Sequence, residues 1–198
     1  MPITPRILVF AGSVRAGAYS GRTADAAQKA LAVQGAEVTR ISLLDYPLPI
    51  FDQDLEQEKG VPENALRLTR QIAAHDGVLI ATPEYNGSIP PLLKNMIDWV
   101  SRVRRDGGKP FHPLTGKPAG LCSSSEGRFA GIRAINHLRA VLVRCRMEVV
   151  TPECSVPDGG EAFDEAGEFR DERLRHGMET LAGALVERAR SISIRIEA

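Results

Sequence analysis

Gly77-Val78-Leu79-Ile80-Ala81 and the residues after it, Thr82-Pro83-Glu84-Tyr85-Asn86-Gly87-Ser88-Ile89-Pro90, decide how the chain folds. The first five form a short apolar run with the length and β-branched content of a buried strand. Beyond the loop, Leu92, Leu93, Met96, Ile97 and Val100 recur at helical spacing. Pro90 and Pro91 suit a helix's first turn, where backbone N–H groups have no intrahelical partner. The loop is therefore pinned between a strand and a helix. It carries an aromatic ring, an amide, a carboxylate and a hydroxyl, a set able to hold a flat, hydrogen-bonding heterocycle. In an open α/β sheet, ligands bind in loops at the carboxyl ends of strands.

The same alternation extends in both directions. Ile7 to Ala11 reads as a central strand, followed by a Gly/Ser loop over Gly12–Gly21 and an Ala-rich helix from about Arg22 to Val33. Gly35 ends that helix, and Glu37 to Leu43 alternates like a second strand. Leu44 to Pro62 reads as a long ordered excursion, and Glu63 to Ala74 as a second helix. A fourth strand over Pro118–Cys122 empties into Ser123-Ser124-Ser125. A helix over about Ile132–Val143 and a fifth strand at Glu148–Val150 come next. Asp158 to Gly167, rich in Gly, Asp and Glu, reads as a mobile loop, and a last helix covers about Arg170 to Ala189. Strands alternating with helices predict one α/β domain over residues 1–198. The short connections make that domain doubly wound.

Bulk properties exclude several classes of function. Twenty-five basic residues balance 25 acidic ones, so net charge predicts neither nucleic acid nor an anionic membrane as partner. No apolar run approaches membrane-spanning length, and the N-terminus lacks signal-peptide anatomy. Cys122, Cys145 and Cys154 form no C-x-x-C pair and no zinc spacing, which favours reduced thiols in a cytoplasmic protein. Asp45, Asp52 and Asp54 lack the glycine and terminal glutamate of a calcium loop and read as solvated carboxylates. No metal site is expected.

Three loops, Gly12–Gly21, Thr82–Ser88 and Ser123–Gly127, converge on one crevice at the sheet's carboxyl edge. The first looks built for phosphate: glycines for close approach, hydroxyls from Ser13, Ser20 and Thr23, a charged fork in Arg15, and a helix N-terminus behind them. Gly12 and Gly17 have P-loop spacing, but Ala18-Tyr19 replaces the Lys-[Ser/Thr] pair. The dinucleotide fingerprint G-x-G-x-x-G is absent as well, which leaves a terminal phosphomonoester. The second loop fits the other end of an FMN, with Tyr85 against an isoalloxazine ring and Asn86 on its pyrimidine edge. Glu84 could bond ribityl hydroxyls, pair with a neighbouring subunit's base, or be solvated. Ser123-Ser124-Ser125 could supply hydroxyls near the ring or simply turn the chain. Arg102, Arg104, Arg105 and Lys109 form a basic turn. It is either a solvated helix C-terminus or an anchor for a dinucleotide phosphate, which would suggest NADPH.

Gly12-Ser13-Val14-Arg15 with its Ser/Gly loop, and Pro83 to Pro90 continuing through Leu93-Lys94-Asn95-Met96-Ile97-Asp98-Trp99, resemble the NADPH-dependent FMN reductases. That flavodoxin-like group includes chromate, quinone and azo-dye reductases, and the resemblance implies a three-layer α/β/α sandwich with a five-stranded parallel sheet of order 2-1-3-4-5. The resemblance runs from about Arg6 to Val150. It implies FMN with its phosphate on Ser13, Arg15 and the Tyr19-Ser20-Gly21 segment, and its ring against Pro83, Glu84, Tyr85, Asn86 and Gly87. Ser123 and Ser124 stand near that ring. It also implies ping-pong hydride transfer from NADPH or NADH to a small-molecule electron acceptor such as quinone, free flavin, chromate or an azo compound, with no catalytic side chain. A homodimer or homotetramer is implied too, with the Pro90–Trp99 helix at the contact. Ala18 and Ser20 stand where the family commonly has Ser and Asn; one lost hydroxyl weakens phosphate binding by roughly 1 kcal/mol. The alternative, a flavodoxin-type electron carrier without NADPH activity, is disfavoured by the zero net charge, since such carriers are strongly acidic.

Overall fold

Alternating residues of the central strand face opposite sides, and each side has its own core. The computed structural model describes residues 4–197. In strand β1 (Arg6–Ala11), Ile7, Val9 and Ala11 pack beneath α1 (Tyr19–Val33) and α6 (Glu172–Glu197). Leu8 and Phe10 point the other way, into α3 (Glu63–Ala74), α4 (Pro91–Arg102) and α5 (Ile132–Arg144). This period of two is what allows a strand to be buried on both faces.

The main sheet contains five parallel strands in the order β2-β1-β3-β6-β7, where β2 is Glu37–Arg40, β3 Gly77–Pro83, β6 Pro118–Ser124 and β7 Glu148–Val156. Numbered within that sheet alone, the order is 2-1-3-4-5, as expected. The strand order reverses beside β1 and β3, so their loops flank the topological switch point. The two short strands β4 (Arg105–Asp106) and β5 (Lys109–Pro110) form a separate antiparallel hairpin.

Several boundaries differ from the sequence reading for local reasons. Helix α1 starts at Tyr19, because the Gly21 N–H bonds to Ala18 O at 2.9 Å and the glycine enters the first turn. Strand β2 stops at Arg40, where Ser42 Oγ accepts from Leu44 N at 3.2 Å and opens a short 3₁₀ turn. The Leu44–Pro62 excursion contains a helix, α2 (Gln53–Lys59), capped by the Asp52 carboxylate accepting from Asp54 N and Leu55 N. Asp158–Gly167 is pinned: Phe163 is buried and stacks on Phe169 at 4.7 Å, and Asp164 N donates to Glu168 O at 2.9 Å.

Helix α4 also anchors the excursion. Trp99, fully buried, donates its indole N–H to Pro49 O at 2.8 Å and meets the Phe51 ring edge-on at 5.0 Å. Asn95 donates to Pro49 O at 2.9 Å and accepts from Phe51 N at 2.7 Å. The segment following β2 is thereby held along α4.

Candidate functional site

The β1–α1 loop enters its helix without a side-chain cap. Ala18 occupies the N-cap position, and the first turn contains no acidic residue. That end of a fifteen-residue helix thus keeps its anion-favouring dipole. Ser13 folds back to accept from Arg15 N at 3.3 Å, while the Arg15 side chain is exposed, 5.9 Å from the centre of the Tyr19 ring. Tyr19 bonds Glu126 Oε1 at 3.1 Å, tying the loop to the segment after β6; that bond and the carboxylate's charge raise the phenol's pKa. Thr23 does not serve the loop. Its hydroxyl is buried and donates to Tyr19 O at 2.9 Å.

Ser20 and Ser124 behave differently. Both are buried, at 1% and 2% exposure, and neither hydroxyl has a hydrogen-bond partner among the described residues. An unpaired buried hydroxyl costs roughly 1–3 kcal/mol, so native structures rarely keep one without a use. These two lie at the first turn of α1 and the end of β6, on loops the sequence assigns to one crevice.

Tyr85-Asn86-Gly87-Ser88 is a two-residue hairpin turn. Tyr85 N donates to Ser88 O at 2.9 Å and Ser88 N returns the bond at 3.0 Å, with φ of 50° at Asn86 and 76° at Gly87. Positive φ at both centres is the primed geometry that Asn-Gly favours. Tyr85 is left 48% exposed at the tip, and Pro83 ends β3 just before it. Gly12 N donates to Ala81 O at 2.8 Å, which joins the first loop to the strand feeding the second.

Glu84 takes a role outside the three open alternatives. It is 14% exposed; Oε2 accepts from the backbone N–H groups of Arg133 at 3.1 Å and Ala134 at 3.4 Å, and Oε1 faces Arg133 Nη1 at 3.2 Å. The hairpin loop thus caps α5, whose own N-cap residue is Gly131 with φ 80°. Only glycine fits there: a Cβ would lie 2.9 Å from Ser123 Cβ. Ser123 is turned inward, donating to Ala130 O at 2.6 Å and contacting Ser155 Oγ at 3.2 Å, so its hydroxyl is committed to holding the 127–131 segment. Sequence reasoning missed Arg133, Glu126 and Phe129. The only local signal for them was their position after a strand that feeds the crevice.

The basic turn is elsewhere. Helix α4 runs from the carboxyl end of β3 back toward the start of β6, so Arg102–Lys109 lies at the opposite edge of the sheet. Arg102 is fastened to Glu56 by contacts of 2.8 and 2.9 Å, and Arg105 bonds Gly108 O within its own turn. Of the two readings of this turn, the helix C-terminus fits and the dinucleotide-phosphate anchor does not, so the turn gives no support for NADPH over NADH.

Comparison with known proteins agrees with this geometry. Residues 5–161 match the family model described as NADPH-dependent FMN reductase. A quinone reductase of Escherichia coli is 42% identical over 139 residues, covering 70% of this chain and 69% of that protein. An NAD(P)H-dependent FMN reductase of Pseudomonas aeruginosa is 35% identical over 91% of this chain and 92% of its own. Among solved structures, the flavoenzyme NAD(P)H:acceptor oxidoreductase FerB of Paracoccus denitrificans superposes with a TM-score of 0.78 at 28% identity. That superposition covers 95% of this chain and 98% of the other. The switch-point crevice, the uncapped helix and the Tyr85 hairpin are those of a chain that belongs to the NADPH-dependent FMN reductase family.

Proposed function

We propose that FMN lies along this crevice with its phosphate at the α1 N-terminus, near Ser13, Arg15 and the Tyr19–Gly21 segment, and its ring against Pro83, Tyr85, Asn86 and Gly87. The pair of buried hydroxyls Ser20 and Ser124 carries this reading: they stand at the first turn of α1 and the end of β6, and among the described residues neither has a hydrogen-bond partner. Glu84 and Ser123 support the site from behind, through α5 and the Ala130 carbonyl. Bound FMN supplies a two-electron relay from NAD(P)H to an acceptor. The chain's residues do the rest: the helix end balances the phosphate charge, Tyr85 offers a face for stacking, and the turn N–H groups and Asn86 amide orient the heterocycle. We assign no catalytic residue.

The relatives' names support small planar acceptors, quinones first, with the net reaction NAD(P)H + H⁺ + quinone giving NAD(P)⁺ and hydroquinone. Flavin, chromate and azo compounds remain alternatives, and NADPH or NADH can serve as donor. One domain spans the chain. A homodimer or homotetramer with α4 at the contact is what the family resemblance implies. Among the described residues no helix is long and apolar enough to cross a membrane. The three unpaired thiols support a cytoplasmic site. Initial-rate kinetics test the reaction: varying quinone at several fixed NADPH concentrations should give parallel double-reciprocal lines. Intersecting lines contradict the shared-site, ping-pong scheme.

A further inference from the structure

Four of the eight large apolar side chains left exposed among the described residues stand on the loops that follow β1, β2, β3 and β6: Val14, Leu44, Tyr85 and Phe129. Single exposed apolar residues need no explanation, but four on the loops at one edge of one sheet form a rim. Phe129, 66% exposed, is the most firmly presented of them. The residue after it, Ala130, is buried with φ 54°, a left-handed conformation that costs a non-glycine residue about 1 kcal/mol. Three bonds hold that kink: Ala130 N to Gly127 O at 3.0 Å, Ile132 N to Phe129 O at 2.9 Å, and the buried Ser123 hydroxyl to Ala130 O at 2.6 Å. Without such a kink an aromatic side chain in this loop would gain by turning inward.

The ring is also backed by charge. The Arg133 guanidinium lies 4.6 Å from the centre of the Phe129 ring and is steadied by Glu84 at 3.2 Å. Arg133 Cδ comes within 3.6 Å of where a Cβ on Gly87 would stand, so the stack abuts the Tyr85 hairpin. Among the described residues the guanidinium gives hydrogen bonds to Glu84 alone, which leaves N–H donors for a ligand. A fixed aromatic face next to spare donors suits a planar aromatic ring bearing carbonyl oxygens.

We infer that Phe129 and Arg133 form the acceptor subsite, with Phe129 stacking on a fused-ring quinone and Arg133 donating to its carbonyl. This rests on the crevice reading above and selects within it: bicyclic quinones are preferred to benzoquinone, because only a fused system reaches the Phe129 face while its quinone ring lies by the hairpin. The test is calorimetric titration of FMN-loaded protein with 1,4-naphthoquinone and with 1,4-benzoquinone, without reductant. Wild type should bind naphthoquinone more tightly. Phe129→Ala should weaken naphthoquinone at least fivefold and benzoquinone less, Phe129→Tyr should restore binding, and Arg133→Met should weaken both quinones. Equal affinity for the two quinones in wild type, or no change in Phe129→Ala, overturns the subsite. So does a concentration-dependent dimer that Phe129→Ala dissociates, which would assign the ring to a contact between copies. NADPH bleaching of the same loaded samples reports the crevice reading separately, so failure of the subsite and failure of the site are distinguishable.

Discussion

Ser124 is where a single atom separates a structural role from a binding one. A hydroxyl that is 2% exposed and unpartnered destabilises the protein that contains it, whereas a hydroxyl bonded by a ligand strengthens binding. Ser124→Ala should leave cofactor-free protein as stable as wild type or up to about 1 kcal/mol more so. It should also weaken FMN by roughly fivefold, the equivalent of one ordinary hydrogen bond. Thermal unfolding with and without FMN, together with fluorescence titration of the flavin, checks both halves. Loss of stability with unchanged FMN affinity means the hydroxyl serves the fold. Residue types alone do not show this difference. Ser20, Ser123, Ser124 and Thr23 are all short hydroxyl residues beside the same crevice. The fold turns Thr23 back on its own helix and Ser123 onto Ala130, leaving the other two buried without a partner among the described residues.

At the scale of elements, what was legible followed local periodicity. The helix from Glu63 to Ala74 was located to the residue, and the Pro90-Pro91 start and apolar stripe of α4 placed that helix and the loop before it. Helix α2 was not seen, since its seven residues, all polar but Leu55, bury none of their side chains, and it depends on the Asp52 cap. The Glu84 cap on α5 was beyond reach for a different reason: its partners are 49 and 50 residues away, and nothing local in Glu84 announces them. The Asn86-Gly87 turn, by contrast, carried its signal in the sequence. Where elements meet, Asn95 is the joint between α4 and the excursion after β2. Asn95→Ala removes two hydrogen bonds, to Phe51 N and Pro49 O, and should cost about 1–3 kcal/mol. Limited proteolysis should then cut first within residues 44–52; cleavage spread evenly over the chain would show that the excursion is held by other contacts.

Over the whole molecule, two cores divided by one parallel sheet leave the carboxyl edge free to be built from loops, and the fold tolerates inward glycines and outward aromatics there. The same burial silences the thiols. Burial pushes the Cys154 thiol up to about 12 and the Cys122 thiol well above its usual range, while Cys145 is raised but half-buried. A raised pKa leaves little thiolate at neutral pH, so alkylation of native protein at pH 8 should label Cys145 slowly and spare the other two until unfolding. Rapid labelling of Cys122 would contradict the packing of β6 against β7. The α/β alternation was readable from local periodicity, while the sheet order and the cofactor class were readable through the family resemblance that the two loop motifs carry. The sequence left two readings open for the Arg102–Lys109 turn, and the direction of α4, which places the turn at the far edge, decides between them. The central claim, that this crevice holds a flavin and passes it electrons from a nicotinamide, meets its most direct test in one cuvette. Protein reconstituted with FMN and freed of unbound flavin should be yellow and should bleach when NADPH or NADH is added without oxygen. Protein that stays yellow with both donors would be an electron carrier, and protein that retains no flavin at all would contradict the site itself.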